Sequence, residues 1–252
     1  MSDLRPLLIA IPTYNERQNV TFIYEQLLKL ELGADLLFVD DHSPDGTGQL
    51  LDELAARDDR LQVLHRPGKL GIGSAHLDAI RWAYGHDYGQ LLTMDCDFSH
   101  SPADIPRFLD CASEAEVVIG SRYLQRDSLR EWNLLRKGLT SCGHLLTTRL
   151  LRMPQDATGA FRLYDLARID RRIFGLVRSM GYAFFFESLF ILTRNSVTIA
   201  EVPIYLPART YGSSKISILE VYGSVRRIAL LWFASLTHPS RFRLKEGSSD
   251  AS

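Results

Sequence analysis

The stretch Leu7-Leu-Ile-Ala-Ile-Pro-Thr-Tyr-Asn-Glu16 begins a pattern that recurs through the first half of the chain. An apolar run of strand length ends in polar residues, and residues with helical spacing follow. The same order starts again at Leu36 and at Leu61. Such alternation predicts β-α-β units, and therefore a mostly parallel sheet.

Extended along the chain, this pattern predicts one α/β domain with a Rossmann-like, mostly parallel sheet flanked by helices. The first five strands are predicted at residues 7–11, 36–39, 61–64, 90–94 and 117–119, with helices at 15–30, 47–57 and 71–84. A basic, helical region follows at 124–151, and then a strand, a helix and a strand at 156–164, 181–192 and 197–205. Residues 216–236 predict a C-terminal helix that is amphipathic at first and apolar all round from Ile228 onward.

The composition excludes several classes of protein. The 252 residues are 46% hydrophobic and carry a net charge of −1, so a nucleic-acid-binding role is not expected. Cys96, Cys111 and Cys142 lack CxxC spacing, which argues against a zinc site or a disulfide framework. No G-x-S-x-G segment of a hydrolase is found, and we expect neither a secretory signal nor a membrane-spanning helix.

An acidic pair, Asp95-Cys96-Asp97, follows the apolar run Leu91-Leu-Thr-Met94. In parallel sheets ligands bind at the carboxyl ends of strands, so both carboxylates are expected at a site. Hard oxygen ligands suit Mg²⁺ or Mn²⁺, which leave coordination positions open for phosphate oxygens. The alternative interpretation is that these carboxylates cap the turn after the strand.

A second acidic pair, Asp40-Asp41, follows the apolar run Leu36-Leu-Phe-Val39 and predicts a contact with the ribose or the base of a nucleotide. We assign Asp41 to the ligand, whereas Asp45 and Thr47 are equally consistent with a ligand contact and with capping of the following helix. Gly71 opens a helix whose free N–H groups could attract an anion, although the full dinucleotide and P-loop motifs are missing.

Several cations follow predicted strands or lie at helix ends: Arg122, Arg136, Lys137, Arg209 and Lys215. Each one alone is better explained as solvated surface charge. A site that holds two phosphate groups needs several such cations, and the fork of arginine fits phosphate oxygens.

A series of motifs in one order resembles the dolichyl-phosphate mannose synthases of glycosyltransferase family 2, over about residues 7–220. The motifs are Pro12-Thr-Tyr-Asn-Glu16, Val39-Asp-Asp-His-Ser-Pro-Asp-Gly-Thr47, Gly71-Ile-Gly-Ser-Ala75, Met94-Asp-Cys-Asp-Phe-Ser-His100, Gly120-Ser-Arg-Tyr123, Asp156-Ala-Thr-Gly-Ala-Phe-Arg-Leu-Tyr164, Glu201-Val-Pro203 and Arg209-Thr-Tyr-Gly-Ser-Ser-Lys215. The resemblance implies a GT-A fold, a GDP-mannose donor, a polyprenyl phosphate acceptor and inversion at the anomeric carbon.

By position, the resemblance also implies roles for individual residues. The nucleotide pocket would be formed by Pro12, Tyr14, Glu16, Val39, Asp41, Gly71 and Cys96. Asp95 and Asp97 would hold the metal, together with Ser99, which stands where some members carry Gln. The phosphate groups would be held by Arg122, Arg136, Arg209 and Lys215, and Asp95, Asp97, Arg122 and Arg136 would carry the catalysis.

The resemblance and the C-terminal pattern together predict the organisation and location of the protein. We expect a catalytic domain at 1–215, a helix at 216–240 that lies in the membrane interface or packs on protein, and a disordered tail at 241–252. The expected location is peripheral, on the cytoplasmic face of a membrane, with a membrane-anchoring subunit or a homo-oligomer as possible partners. Two alternatives stay open: the same reaction with a donor such as UDP-glucose, and a non-catalytic protein that binds nucleotide sugar or lipid.

Overall fold

The computed structural model describes residues 6–125, 128–129, 134–206 and 218–245, the side chains of 134–136 and 218–220 excepted. Its first half is built from alternating strands and helices, as the apolar pattern predicts. They are β1 (Leu7–Thr13), α1 (Arg17–Leu28), β2 (Asp35–Asp40), α2 (Thr47–Ala55), β3 (Leu61–His65), α3 (Ile72–Gly85) and β4 (Gln90–Thr93).

The second half departs from simple alternation. Its elements are α4 (Ile105–Cys111), β5 (Val117–Ser121), α5 (Leu134–Leu150), β6 (Arg162–Asp165), α6 (Ala183–Arg194), β7 (Ile199–Pro203) and α7 (Ile218–Thr237), with 3₁₀ turns at Pro102–Asp104, Arg171–Leu176 and Pro239–Phe242. The strand predicted at 156–164 begins only at Arg162, because residues 156–161 form a turn held by side chains. The sequence pattern did not predict α4, which at seven residues is too short to show helical periodicity.

Seven strands form one sheet in the order β3-β2-β1-β4-β6-β5-β7. All neighbouring strands are parallel except β6, which runs antiparallel to both β4 and β5. The carboxyl ends of β1, β2, β4 and β5 therefore lie along one edge, called the carboxyl edge below. Because β6 is reversed, its amino end and the turn at 156–161 also reach that edge.

Apolar side chains cover both faces of the sheet. Along β1, Leu8 and Ala10 pack on the side of α3 and α6, whereas Ile9 and Ile11 pack on the side of α1, α2 and α4. This alternation follows from the two-residue repeat of a strand. A strand buried on both faces is apolar throughout, which explains why the short apolar runs predict the sheet correctly.

The C-terminal helix α7 lies against α5 and α6. Ile228 and Leu231 are buried in the core cluster that α3 and α6 share. The opposite side of α7 is also apolar, with Leu230, Phe233 and Leu236 between 45% and 64% exposed. In the described residues, no helix is long and apolar enough to cross a membrane.

Candidate active site

The loops after β1 and β2 are joined by hydrogen bonds at the carboxyl edge. The backbone N–H of Asn15 donates to Ser43 Oγ at 3.0 Å, and that of Glu16 donates to Thr47 Oγ1 at 3.0 Å. Asp45 Oδ1 accepts from the Thr47 hydroxyl at 2.5 Å. Asp45 and Thr47 therefore have a structural role in joining the two loops, while the residue at the N-cap position of α2 is Gly46.

The two carboxylates of the second acidic pair have different partners. Asp40 bonds a residue of its own loop, whereas Asp41 pairs with a residue directly after the next strand, β3. Asp40 accepts from the hydroxyl and the backbone N–H of Ser43 at 2.6 and 3.2 Å. Asp41 is buried and forms an ion pair with Arg66. Burial raises the pKa of the Asp41 carboxyl, and the Arg66 guanidinium acts in the opposite direction.

Arg66, which the sequence analysis did not single out, links the end of β3 to the start of α3. Its guanidinium is 3.1 Å from Asp78 Oδ2 and also bonds the hydroxyl of Ser74. Its position directly after β3 is the signal that could have identified it. Arg66 fixes the orientation of Asp41, the residue predicted to bind the nucleoside.

Other predicted pocket residues line the same loops. The Tyr14 ring is half-buried, with Lys69 Nζ 4.5 Å from its centroid. Glu16 Oε2 accepts from Asn19 Nδ2 at 2.6 Å. Gly71 has φ of +98°, and a Cβ there would lie 2.5 Å from the carbonyl oxygen of Met180. Glycine at position 71 is therefore required by the backbone packing, apart from any contact with a ligand.

Besides Asp41, three predicted nucleotide contacts have buried side chains. Pro12 and Val39 are paired in the β1–β2 ladder, and Val39 is fully buried in the core. Cys96 is buried in the opposite apolar layer, where burial raises the pKa of its thiol. For Val39 and Cys96 only the backbone is left to meet a nucleotide, since their side chains pack in the core.

The loop after β4 folds back on itself and brings the acidic pair together. Ser99 Oγ donates to Asp97 Oδ1 at 2.6 Å and lies 3.5 Å from Asp95 Oδ2. The backbone N–H of Asp95 donates to Nδ1 of His100 at 2.9 Å, and Phe98, at φ +61°, makes the tight turn between them. His100, another residue absent from the predicted site, therefore fixes the backbone of Asp95 by accepting this hydrogen bond.

The donor atoms at this loop fit a hard divalent cation. The Ser99 hydroxyl lies within hydrogen-bond reach of both carboxylates, and the Asp95 side chain is 30% exposed. Mg²⁺ is commonly held by one or two carboxylates together with substrate phosphates and water. No set of three or more His, Cys, Asp or Glu side chains in the described ranges is arranged around a metal position.

Arg122 lies beside this loop, at the end of β5. Its Nε donates to Asp156 Oδ2 at 2.7 Å, and its backbone N–H donates to the same oxygen at 3.1 Å. Burial acts to lower the pKa of the guanidinium, but Asp156, with a smaller contribution from Asp95, outweighs it and the pKa is raised. Arg122 is therefore a fixed cation close to the acidic pair.

The remaining predicted cations are only partly located. Arg136 lies in the first turn of α5, although its side chain is outside the described residues, and so are Arg209 and Lys215. The middle of α5 is attached next to Arg122, because the Tyr123 hydroxyl donates to the carbonyl of Thr140 at 3.1 Å and its ring stacks on His144.

Comparison with known proteins assigns the chain to a family. The model of "Glycosyl transferase family 2" matches residues 8–175, more than half of the chain. A polyprenol monophosphomannose synthase of Mycolicibacterium smegmatis is 36% identical over 88% of this chain and 85% of its own length. An undecaprenyl-phosphate mannosyltransferase of Micrococcus luteus is 36% identical over 84% of this chain and 87% of its own.

A solved structure shows the same fold at low sequence identity. The glucosyl-3-phosphoglycerate synthase of Mycobacterium tuberculosis, crystallised with Mn²⁺, UDP-glucose and phosphoglyceric acid, has a TM-score of 0.63 and 17% identity. The similarity covers 97% of this chain and 82% of that one. The parallel sheet with its reversed strand is thus the GT-A fold of glycosyltransferases, and the chain belongs to glycosyltransferase family 2.

Proposed function

We propose that this protein transfers mannose from GDP-mannose to a polyprenyl monophosphate, such as a dolichyl or undecaprenyl phosphate, with inversion at the anomeric carbon. The observation that carries the proposal is the 36% identity, over most of both chains, to two enzymes named for mannosyl transfer to polyprenyl phosphates. The fixed cation Arg122 beside the acidic pair supports it, because the reaction joins two phosphate-bearing substrates.

The nucleoside of the donor would lie against the loops after β1 and β2. Asp41, held by Arg66, can accept hydrogen bonds from a base or a ribose, and Tyr14 offers an aromatic face. Pro12, Glu16 and the backbones of Val39, Gly71 and Cys96 complete the proposed pocket.

A divalent ion, Mg²⁺ or Mn²⁺, would be held by Asp95, Asp97 and Ser99. When bound, it neutralises charge on the leaving diphosphate. The protein contributes the placement of the two carboxylates, since Ser99 spaces them and His100 fixes the backbone of Asp95.

The acceptor needs no general base. The second pKa of a phosphate monoester is about 6, so its oxygen is already a nucleophile near neutral pH. That oxygen attacks the anomeric carbon from the face opposite the diphosphate, the new C–O bond forms as the bond to the diphosphate breaks, and GDP leaves. Arg122, Arg136, Arg209 and Lys215 are proposed to hold the phosphates in line for this displacement.

The acceptor also requires that the enzyme work at a membrane surface. Each buried CH₂ of a polyprenyl chain is worth about 0.8 kcal/mol, so the lipid does not leave the bilayer for the enzyme. We propose a catalytic domain over 1–215, and a peripheral position on the cytoplasmic face with α7 in contact with the lipid. The exposed apolar side of α7 and the exposed cations Arg226, Arg241 and Arg243 support this contact.

Donor identity is tested by ligand-induced stabilisation. The melting temperature would be measured with GDP, UDP, GDP-mannose and UDP-glucose, each with and without Mn²⁺. The proposal predicts the largest increase for GDP and GDP-mannose with Mn²⁺, because, at equal concentration, a ligand that binds the native state more tightly stabilises it more. A larger increase with UDP and UDP-glucose would contradict the proposed donor.

A further inference from the structure

Arg162, the first residue of β6, is a fully buried cation. Its Nε donates to the carbonyl of Gly159 at 2.9 Å, and Nη2 donates to the carbonyls of Ala157 and Phe185 at 2.9 and 2.8 Å. Nη1 donates to Ser188 Oγ at 3.1 Å. Among the residues whose side chains are described, no carboxylate pairs with this guanidinium.

A buried charge without a counter-charge is costly, and an apolar side chain could fill this space without that cost. What a guanidinium adds is a rigid planar set of donors that can bond several carbonyls at once. Two of the carbonyls belong to the turn at 156–161, and the other contacts are on α6. Arg162 thus ties that turn to α6.

The opposite side of the same turn holds Arg122. Asp156 accepts the two hydrogen bonds from Arg122, and its own N–H donates to Glu201 Oε1 at 2.9 Å. The Arg122 guanidinium also lies close to Gly159, since a Cβ at that position would lie 3.5 Å from Arg122 Nη2. Gly159 therefore contacts Arg122 and also accepts a hydrogen bond from Arg162 through its carbonyl.

The turn is tied to the strand of the acidic pair as well. Thr93, opposite Arg162 in the β4–β6 ladder, donates from its hydroxyl to the carbonyl of Ala160 at 2.7 Å. Thr93 is the last residue of β4, two positions before Asp95. One turn thus sets the position of Arg122 relative to the strand that leads to Asp95.

We propose that Arg162 is a positioning residue, which fixes the turn at 156–161 and through it the orientation of Arg122 toward the reacting phosphates. The inference rests on the proposed function for the reaction that Arg122 serves. Its geometric part, the link from Arg162 to Arg122, stands independently of which sugar is transferred.

The first test replaces the planar guanidinium of Arg162 by an ammonium group and keeps the positive charge. In Arg162→Lys a single nitrogen replaces the three nitrogens that contact both the turn and α6, so kcat for mannosyl transfer should fall at least about tenfold while GDP affinity changes less than about twofold. The matched control is Arg172→Lys, at an exposed arginine bonded to Asp170, which should leave both values unchanged. A double-mutant cycle with Arg122→Ala should show that adding Arg162→Lys costs little more, because both changes act through one residue.

The second test does not depend on turnover. Hydrogen exchange at the backbone N–H of Arg122, which is bonded to Asp156, should be faster in Arg162→Lys than in the wild type, with exchange in β1 unchanged. Ser188→Ala, which removes a single contact of the guanidinium, is the second variant and should accelerate the same amide to a smaller extent. The proposal is overturned if hydrogen exchange at the Arg122 N–H is unchanged in whichever variant folds. It is also overturned if the two substitutions of the double-mutant cycle lower kcat by independent factors that multiply. If the wild-type protein shows no mannosyl transfer, the proposed function is contradicted. The hydrogen-exchange test then still decides whether Arg162 positions Arg122.

Discussion

Arg122 and Asp97 illustrate how single side chains at the carboxyl edge are prepared before any substrate arrives. Asp156 fixes the guanidinium of Arg122 by two hydrogen bonds, and Ser99 fixes the Asp97 carboxylate by hydrogen bonds from its hydroxyl and its backbone N–H. Groups held in this way need little rearrangement as charge develops, which is the physical origin of electrostatic catalysis in a preorganised site.

Replacement of Asp97 tests the metal assignment at this scale. Asp97→Ala removes a proposed ligand, so turnover should fall by about 100-fold or more while circular dichroism is unchanged. The matched control, Asp110→Ala, removes an exposed aspartate of α4 and should keep full activity. The wild type in excess EDTA should behave like Asp97→Ala, and full activity in EDTA would mean that the acidic pair serves another purpose.

At the scale of the elements, α7 is held by a buried ion pair and yet leaves an apolar side exposed. Glu187 of α6 accepts from Arg227 Nε and Nη2 at 3.1 and 2.6 Å, and also from the backbone N–H groups of Arg178 and Ser179 at 3.0 Å each. The next residue, Met180, packs on Gly71 and accepts from the N–H of Ser74. The helix is thus fixed to the body of the protein, so its exposed side keeps one orientation.

The exposed side of α7 is expected to bind anionic lipid. Trp232 and Phe233 are 40% and 60% exposed, and together they could contribute about 3 kcal/mol on entering the interface, a partition change on the order of 100-fold. Trp232→Glu with Phe233→Glu should therefore abolish flotation with vesicles that contain anionic lipid, while circular dichroism and GDP binding persist.

The control for this helix adds the same charge elsewhere. Gln18→Glu with Thr21→Glu changes the exposed side of α1, on the other face of the sheet, and should leave flotation unchanged. If the α7 variant floats like the wild type, the lipid contact lies elsewhere. If it unfolds, Trp232 and Phe233 belong to the core or to a protein interface.

At the scale of the whole molecule, much of the fold could be predicted from the sequence, because strands buried on both faces appear in the sequence as apolar runs. The acidic pair and Arg122 could also be located, since they directly follow such runs. The roles of Asp45 and Thr47 could not be decided, because a carboxylate and a hydroxyl serve a loop and a ligand by the same hydrogen bonds. Arg66 could have been found from its position directly after β3, whereas Arg162 could not be distinguished from a surface arginine, because its contacts with α6 join segments distant in sequence.

The reversed strand explains how distant segments form one site. Because β6 runs against its neighbours, the turn at 156–161 meets the ends of β4 and β5 at the carboxyl edge. The predicted strand at 156–164 would have removed that turn. The site therefore depends on the sheet topology as a whole, in addition to the motifs that follow each strand.

Transfer of labelled mannose tests the central claim most directly. The purified protein would be incubated with labelled GDP-mannose, a polyprenyl monophosphate and Mn²⁺ or Mg²⁺ in lipid vesicles, and the organic phase would be analysed for product. The account predicts a lipid-soluble mannosyl phosphodiester, formed in equal amount to the GDP released and absent without the ion. Labelled lipid from UDP-glucose in preference to GDP-mannose, or binding of GDP-mannose without any lipid product, would contradict it.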